Sequence, residues 1–185
     1  MKRLVVKIGT GNLVDVTTDT LDVKKVLDIA RQVSILTLQG IEVVLVTSGA
    51  IMAGKDRMAR IGALSALPTL AKKEWAGIGA RHLLNLWGNA YEKHCVEVAQ
   101  VWLTYANWTH EHEYESIWKS ILSYLRFGVI PLINENDVVS DREIVLMDQG
   151  ISENDRLARM VAEMIEADAV LFLTDIGGIY DRDPR

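Results

Sequence analysis

The sequence predicts an α/β protein of three layers, in which a mostly parallel central sheet lies between two layers of helices. Two observations predict this fold class. Short apolar runs rich in β-branched residues recur along the chain, and most lack a polar side, which is typical of strands buried on both faces. Segments with helical spacing of apolar residues lie between most of these runs. Strands that alternate with helices form a parallel sheet that is covered on both sides.

The predicted elements follow from these patterns. Strands are expected at residues 4–8, 42–47, 96–103, 129–133 and 169–173. A crossover helix between the first two strands has Asp19 or Thr20 as its cap and Gly40 as its stop. Three further helices are expected within residues 75–90, within residues 114–125, and from near Asn154 to Ile165.

Composition excludes several classes of protein. The 185 residues are 49% hydrophobic, which is enough for one domain with a substantial core. The 20 basic and 25 acidic residues are dispersed, so no nucleic-acid-binding surface is predicted. Cys95 is the only cysteine, which excludes an internal disulfide and a multi-thiolate metal site. A single cysteine also fits a reducing compartment, so a cytoplasmic location is expected. Lys7 and Gly9 interrupt the apolar residues at the start of the chain, so neither a signal peptide nor a membrane span is predicted there.

Glycines and a lysine end the first predicted strand. Ligands of open α/β sheets bind beyond the carboxyl ends of the strands. Gly9 would let the backbone approach a ligand closely, and Lys7 would place a cation on a phosphoryl oxygen. The segment has neither the Walker spacing nor the GxGxxG pattern. Its alternative interpretation is a strand-ending turn with an exposed lysine.

The second predicted strand ends in a hydroxyl and a glycine. Ser48 and Gly49 would offer a side-chain hydroxyl and bare N–H groups at a helix start, which suits a carboxylate or a phosphate. Alternatively, Ser48 simply caps the following helix.

Four carboxylate or amide side chains follow the fourth predicted strand. They are Asn134, Glu135, Asn136 and Asp137. A turn alone requires only one such residue, so this cluster is predicted to bind an ammonium group or to organise a magnesium-phosphate region.

Two later segments complete the predicted site. Asn154 opens a helix, as its cap or as a ligand, and Asp155 could hold a phosphate-binding lysine in place. The fifth strand ends in Thr174 and Asp175, followed by paired glycines, which suits contact with a nucleotide.

These segments resemble the amino acid kinase family over essentially the whole chain. The carrying segments are VVKIGT, GIEVVLVTSGAI, AQVWLT, GVIPLINEND, ENDRLA and LFLTDIGGIYDRDPR. The resemblance is strongest to those members that use ATP, with magnesium, to phosphorylate the side-chain carboxylate of L-glutamate on the route to proline. It also implies a homo-oligomer, and no protein-bound metal site is expected.

The resemblance implies a role for each matching residue. Lys7 and Gly9 would contact the nucleotide phosphates, with Lys7 and Asp155 as the catalytic pair. Ser48, Gly49, Asp137 and Asn154 would bind glutamate, while Thr174 and Asp175 would lie on the nucleotide side.

The chain ends with the DPR motif, whereas the family continues into a glycine-rich loop and a second lysine. Residues 1–185 are therefore expected to be the amino-terminal, acceptor-binding portion of the kinase domain, incomplete at its carboxyl end. Two alternatives stay open. One is a catalytically silent amino-acid-binding or regulatory domain, and the other is a related kinase acting on another small carboxylate or phosphate.

Overall fold

A computed structural model describes residues 1–15, 17–18, 20–62, 70–139 and 153–174. The strands are β1 (Arg3–Ile8), β2 (Val14–Asp15), β3 (Thr20–Leu21), β4 (Glu42–Thr47), β5 (Val98–Leu103), β6 (Ile130–Glu135) and β7 (Ala169–Leu173). The helices are α1 (Val23–Leu38), α2 (Ala50–Arg60), α3 (Lys72–Glu92), α4 (Ala106–Thr109), α5 (Glu111–Arg126) and α6 (Glu153–Met164). A short 3₁₀ turn at Thr10–Asn12 follows β1. No helix in these ranges is long and apolar enough to cross a membrane.

Five strands form one parallel sheet in the order β5-β6-β4-β1-β7. This sheet, with helices on both faces, confirms the predicted fold class. Four predicted strand bounds were wrong. Strand β1 begins one residue earlier than expected, β5 two residues later and β6 one residue later. Strand β6 also runs on to Glu135, because its pairing with β5 continues to Leu103↔Glu135. The small antiparallel hairpin of β2 and β3 was not predicted, since two-residue strands leave no periodic pattern.

The two faces of the sheet pack on different helices. Val6 and Leu45 belong to the cluster that includes Trp87 of α3, whereas Val5 belongs to the cluster that includes Leu157 of α6. The helices α1, α2 and α3 cover the first face, and α5 and α6 cover the second. Because side chains alternate along a strand, Lys7 in β1 lies on the face covered by α5 and α6.

Helix α1 is capped by Asp22, which corrects the predicted cap at Asp19 or Thr20. Asp22 accepts hydrogen bonds from the N–H groups of Lys24 at 3.0 Å and Lys25 at 3.1 Å. Thr20 and Leu21 form β3, so the helix can begin only after Asp22. Asp19 lies outside the described residues. The predicted stop is confirmed, because Gly40 has a φ of 84° just after the helix.

Removing this cap is expected to destabilise the domain. Asp22→Ala leaves two N–H groups without their acceptor and should lower the free energy of unfolding by about 1 kcal/mol. The measurement is urea denaturation followed by circular dichroism. Asp22→Asn is the control, because an amide oxygen still accepts both hydrogen bonds and should retain most of the stability. Equal losses in the two variants would contradict this role of the cap.

Helices α2 and α3 touch backbone to backbone through two glycines. A Cβ atom added to Gly54 would lie 2.1 Å from the carbonyl oxygen of Trp75, and one added to Gly79 would lie 1.8 Å from that of Ala50. Both distances are far below van der Waals contact. The close approach places the start of α2, and with it the turn that carries Ser48 and Gly49, against α3.

The beginning of β7 is tied to the beginning of β1 by Asp168. Its carboxylate accepts hydrogen bonds from the N–H groups of Arg3 and Lys2. These bonds hold the pKa of Asp168 below its ordinary value, because they favour the charged form. The start of β7 is thereby held beside the start of β1, its neighbour in the sheet.

Candidate functional site

The carboxyl ends of the parallel strands meet at one edge of the sheet. Strand β1 lies between β4 and β7, so residues that follow these three strands are spatial neighbours. The amino end of α6 reaches the same edge. The structure brings together Lys7, Ser48, Asn154 and Asp155, four residues that the sequence analysis assigned to the site.

Lys7 is a buried cation held by one carboxylate. Its Nζ lies 2.6 Å from Oδ1 of Asp155, and its side chain is only 9% exposed. The alternative interpretation of Lys7 as an exposed lysine at a turn is therefore wrong. The Asp155 side chain is 43% exposed, so the pair opens to solvent on the aspartate side. An ion pair at this depth is costly to desolvate and contributes little to stability, which favours a binding role for the charge.

Ser48 is joined to Asn154 rather than acting as a helix cap. The Nδ2 atom of Asn154 donates a hydrogen bond to Oγ of Ser48 at 2.6 Å. Helix α2 is instead preceded by Gly49 in a left-handed conformation, with a φ of 103° and no side-chain cap. Within the described residues, the buried Oδ1 atom of Asn154 has no hydrogen-bond partner. The pair therefore keeps an acceptor that a ligand can use.

Gly9 lies directly beside the lysine ammonium group. A Cβ atom there would be 3.4 Å from Nζ of Lys7 and 4.0 Å from the carbonyl oxygen of Leu173. The bare backbone thus leaves space next to the cation. Asn12, in the 3₁₀ turn that follows, donates a hydrogen bond from Nδ2 to the same oxygen of Leu173 at 2.8 Å. This bond ties the turn after β1 to the end of β7.

The polar cluster after the fourth predicted strand is divided, which corrects the expectation that all four members follow it. Asn134 and Glu135 are the last residues of β6 and are buried. Only Asn136 and Asp137 lie beyond the strand, and Asn136 donates its N–H to the carbonyl of Leu103. Asp137 is half-buried in the turn, and among the described residues its side chain forms no hydrogen bond with Ser48 or Asn154.

The nucleotide side of the predicted site is only partly described. Thr174 follows β7 directly and is exposed at the same edge as Lys7. Asp175 lies outside the described residues. The roles assigned to these two residues, and to Asp137, stay predictions.

Comparison with known proteins identifies the family. Residues 2–185 match the amino acid kinase family. The chain belongs to this family. Over 184 residues it is 37% identical to a glutamate 5-kinase of Desulfotalea psychrophila, covering 100% of this chain and 47% of that protein. With a glutamate 5-kinase of Herpetosiphon aurantiacus the identity is 39%, over 99% of this chain and 47% of that protein.

The chain spans about half the length of these curated relatives. A solved structure shows the same fold. The UMP kinase of Bacillus anthracis superposes with a TM-score of 0.60 at 17% identity, covering 99% of this chain and 69% of that one.

Two supports of the candidate site were missed by the sequence analysis. Trp87 of α3 donates a hydrogen bond from Nε1 to Oγ1 of Thr47 at 3.2 Å, and this hydroxyl donates to the carbonyl oxygen of Ser48 at 3.0 Å. A buried indole thus positions the Ser48 turn. Trp87 lies 40 residues from Thr47 in sequence, and no local pattern links them.

The second missed support is a cation–π contact at the start of α6. The guanidinium carbon of Arg156 lies 4.8 Å from the ring centre of Tyr105, which follows β5. Asn154, Asp155 and Arg156 therefore contact residues at the ends of β4, β1 and β5, respectively. Through these three consecutive residues, the first turn of α6 is fixed to the ends of three strands.

Proposed function

We propose that the protein transfers the γ-phosphoryl group of ATP to the side-chain carboxylate of L-glutamate, giving L-glutamyl 5-phosphate, the first step of proline biosynthesis. The observation that carries the proposal is the adjacency of two pairs at one sheet edge. The Lys7–Asp155 pair offers a fixed cation, and the Ser48–Asn154 pair offers neutral polar groups. The glutamate 5-kinase relatives support glutamate as the acceptor.

Lys7 would contact the transferring phosphoryl group. Phosphoryl transfer depends mainly on alignment and on stabilising charge as it moves to the oxygens, so a preorganised cation is the chief requirement. Asp155 would hold the Lys7 ammonium group in position, and Gly9 would leave room for a phosphate beside it. The attacking carboxylate is already ionised at neutral pH, so no general base is needed.

Ser48, Gly49, Asn154 and Asp137 would bind the acceptor. The unpartnered Oδ1 of Asn154 is suited to accept a hydrogen bond from the ammonium group of an amino acid. The carboxylate of Asp137, in the turn after β6, would provide a second contact to that ammonium group, and this one would be anionic. The backbone N–H groups at the start of α2 suit a carboxylate.

Thr174 and Asp175 would lie on the nucleotide side, next to Lys7. Magnesium is proposed to enter bound to the nucleotide and would neutralise phosphate charge. Among the described residues, no three His, Cys, Asp or Glu side chains lie together as a metal site. The proposal includes a cytoplasmic location, as the single cysteine favours, and a homo-oligomeric assembly, as the family resemblance implies.

Calorimetric titration of the 185-residue chain tests this function. Separate titrations with L-glutamate and with magnesium-ATP are expected to show saturable binding, and ADP release is expected when both are present. Glutamate binding without ATP binding or turnover would support only the acceptor-binding part of the proposal, as expected of an acceptor-binding portion or of a silent amino-acid-binding domain. Binding of ATP with turnover only on another carboxylate or phosphate would reassign the acceptor. No binding of either substrate would contradict the proposal.

Asp137→Ala is expected to weaken glutamate binding. Loss of one charged hydrogen bond corresponds to about 1.5–3 kcal/mol, or an increase in the dissociation constant of about 10- to 100-fold. Calorimetry with L-glutamate measures it. Asp28→Ala, on the exposed side of α1, is the matched control and should bind glutamate normally. An unchanged dissociation constant in Asp137→Ala would remove this residue from the acceptor site.

A further inference from the structure

The peptide group between Ser48 and Gly49 is held from the inside of the protein by two successive hydrogen bonds. The Nε1 atom of Trp87 donates to Oγ1 of Thr47 at 3.2 Å, and the Thr47 hydroxyl donates to the carbonyl oxygen of Ser48 at 3.0 Å. Trp87 and Thr47 are fully buried, and Ser48 is nearly so. We call this chain of three groups the Trp87 relay.

The direction of the Trp87 relay follows from the chemistry of its first member. An indole N–H can only donate, so the oxygen of Thr47 accepts its hydrogen bond. This bond holds the Thr47 hydroxyl in one orientation, with its single proton directed at the Ser48 carbonyl. Loss of the Thr47 hydroxyl would therefore leave a buried donor and a buried acceptor unpaired.

The Trp87 relay also decides which way the N–H of Gly49 points. The peptide between Ser48 and Gly49 is trans, and in a planar trans peptide the C=O and N–H groups point in opposite directions. Because the carbonyl of Ser48 is directed at the buried Thr47 hydroxyl, the N–H of Gly49 is directed away from it. No acceptor for this N–H is seen among the described residues. It is thus left as a donor for a ligand.

The other polar groups of Ser48 make a second donor beside the first. Its N–H donates to the carbonyl of Ile8 at 3.1 Å, and its Oγ accepts from Nδ2 of Asn154 at 2.6 Å. Within the described part of the chain, this leaves the hydroxyl proton of Ser48 to donate elsewhere. Two neighbouring donors, this proton and the N–H of Gly49, are complementary to the two oxygens of a carboxylate.

We propose that Thr47, backed by Trp87, is a positioning residue of the acceptor site. It holds the Ser48 carbonyl inward, so that the N–H of Gly49 and the hydroxyl of Ser48 both face a carboxylate of the acceptor. The inference rests on the proposed function, because it takes the turn of Ser48 and Gly49 as acceptor-binding. Thr47 and Trp87 are buried and would not touch either substrate, so they would change the affinity for the acceptor and not that for the nucleotide.

Calorimetric titration of variants with L-glutamate tests the inference. Thr47→Val keeps the shape of the side chain but removes the hydroxyl, and it should raise the dissociation constant by about 3- to 10-fold. Trp87→Phe keeps an aromatic ring but removes the N–H, and it should raise the constant by at least about twofold. Thr47→Ser restores the hydroxyl and should bind as the parent chain does. Affinity for magnesium-ATP should be unchanged in all three variants.

Tyr91→Phe is the matched control for packing. Tyr91 lies one turn along α3 from Trp87, with the two ring centres 6.0 Å apart. Its hydroxyl is buried and has no hydrogen-bond partner among the described residues. Removing this hydroxyl alters the same part of the core without touching the Trp87 relay, so glutamate binding should not change. The double variant of Thr47→Val with Trp87→Phe should bind no more weakly than Thr47→Val alone, since both changes act through one relay.

A measurement without ligand covers the case in which glutamate does not bind. The side-chain amide of Asn154 donates to Ser48, so its signal in ¹H–¹⁵N correlation spectra reports the position of the Ser48 turn. Thr47→Val and Trp87→Phe are expected to shift this signal, whereas Tyr91→Phe should leave it in place.

The two measurements separate this inference from the proposed function. If the parent chain binds no glutamate, the proposed function fails, and an unchanged Asn154 signal in Thr47→Val would then overturn the inference as well. If the parent chain binds glutamate, an unchanged dissociation constant in Thr47→Val or in Trp87→Phe overturns the inference alone. Equal weakening of glutamate and magnesium-ATP binding would also overturn it, because the relay would then support the fold in general and not the acceptor site.

Discussion

Gly79→Ala is expected to destabilise the domain by more than about 3 kcal/mol. The new Cβ would lie 1.8 Å from the carbonyl oxygen of Ala50 and 2.4 Å from the nitrogen of Gly54. Both neighbours are backbone atoms, so no side-chain rotation relieves the overlap, and α2 must move away from α3. Overpacking typically costs about 1–3 kcal/mol, and a backbone clash lies at or beyond the top of that range. Urea denaturation followed by circular dichroism measures the loss.

The same helix supplies a matched control. A Cβ on Gly88 would meet its nearest neighbour, Cγ2 of Val98, at 3.9 Å, which is an ordinary contact. Gly88→Ala should therefore stabilise the domain by about 0.5–1 kcal/mol, the usual gain of alanine over glycine inside a helix. Effects of equal sign in the two variants would contradict the inferred α2–α3 contact. Gly79→Ala should also weaken glutamate binding, because α2 carries the Ser48 turn.

Lys7→Met is expected to reduce phosphoryl transfer by about 100-fold or more. Removing one preorganised charge-stabilising group commonly costs 10²–10³ in turnover, and about 2.7 kcal/mol of barrier corresponds to 100-fold. Glutamate binding should change little, because Ser48 and Asn154 are untouched. ADP release with glutamate and magnesium-ATP gives the turnover, and calorimetry gives the affinity. Turnover within about threefold of the parent chain would remove Lys7 from catalysis.

Replacing Asp155 is expected to lower the free energy of unfolding more than replacing Lys7, its partner in the ion pair. Asp155→Asn leaves a buried, uncompensated Lys7 and is expected to cost about 1–3 kcal/mol. Lys7→Met leaves Asp155, which is 43% exposed and can be hydrated, so its cost should be below about 1 kcal/mol. The double variant should recover part of the loss of Asp155→Asn, as a double-mutant cycle would show. Strictly additive effects would contradict the coupling.

Local patterns were sufficient for most elements of the sheet. The strand at residues 42–47 was predicted with its observed bounds, and so was β7 at Ala169–Leu173, because each is a compact apolar run between polar segments. The cap of α1 was misplaced. Several residues before that helix have side chains that can cap, and only the β2–β3 hairpin decides that the chain first becomes helical after Asp22.

The candidate site could be predicted as a set of residues but not as a geometry. Asp155 was expected to hold a phosphate-binding lysine in place, and its Oδ1 atom lies 2.6 Å from Nζ of Lys7. The hydrogen bond between Ser48 and Asn154 joins residues 106 positions apart. The residues next to Ser48 and Asn154 in sequence do not show whether each side chain caps a helix or bonds to the other. Only the fold shows that Ser48 bonds to Asn154 and does not cap α2.

The sequence by itself determined the class of the fold and the edge of the sheet at which polar residues gather. Strand and helix periods are local properties, and strands joined by helical crossovers run parallel, so that their carboxyl ends share one edge. The tertiary structure alone decided the strand order, the glycine contact between α2 and α3, and the point at which the pairing of β4 with β6 begins, at Leu45↔Leu132. Each of these depends on distances between segments that are remote in the chain. Burial of Lys7, which turns an ordinary lysine into a fixed cation, belongs to the same group.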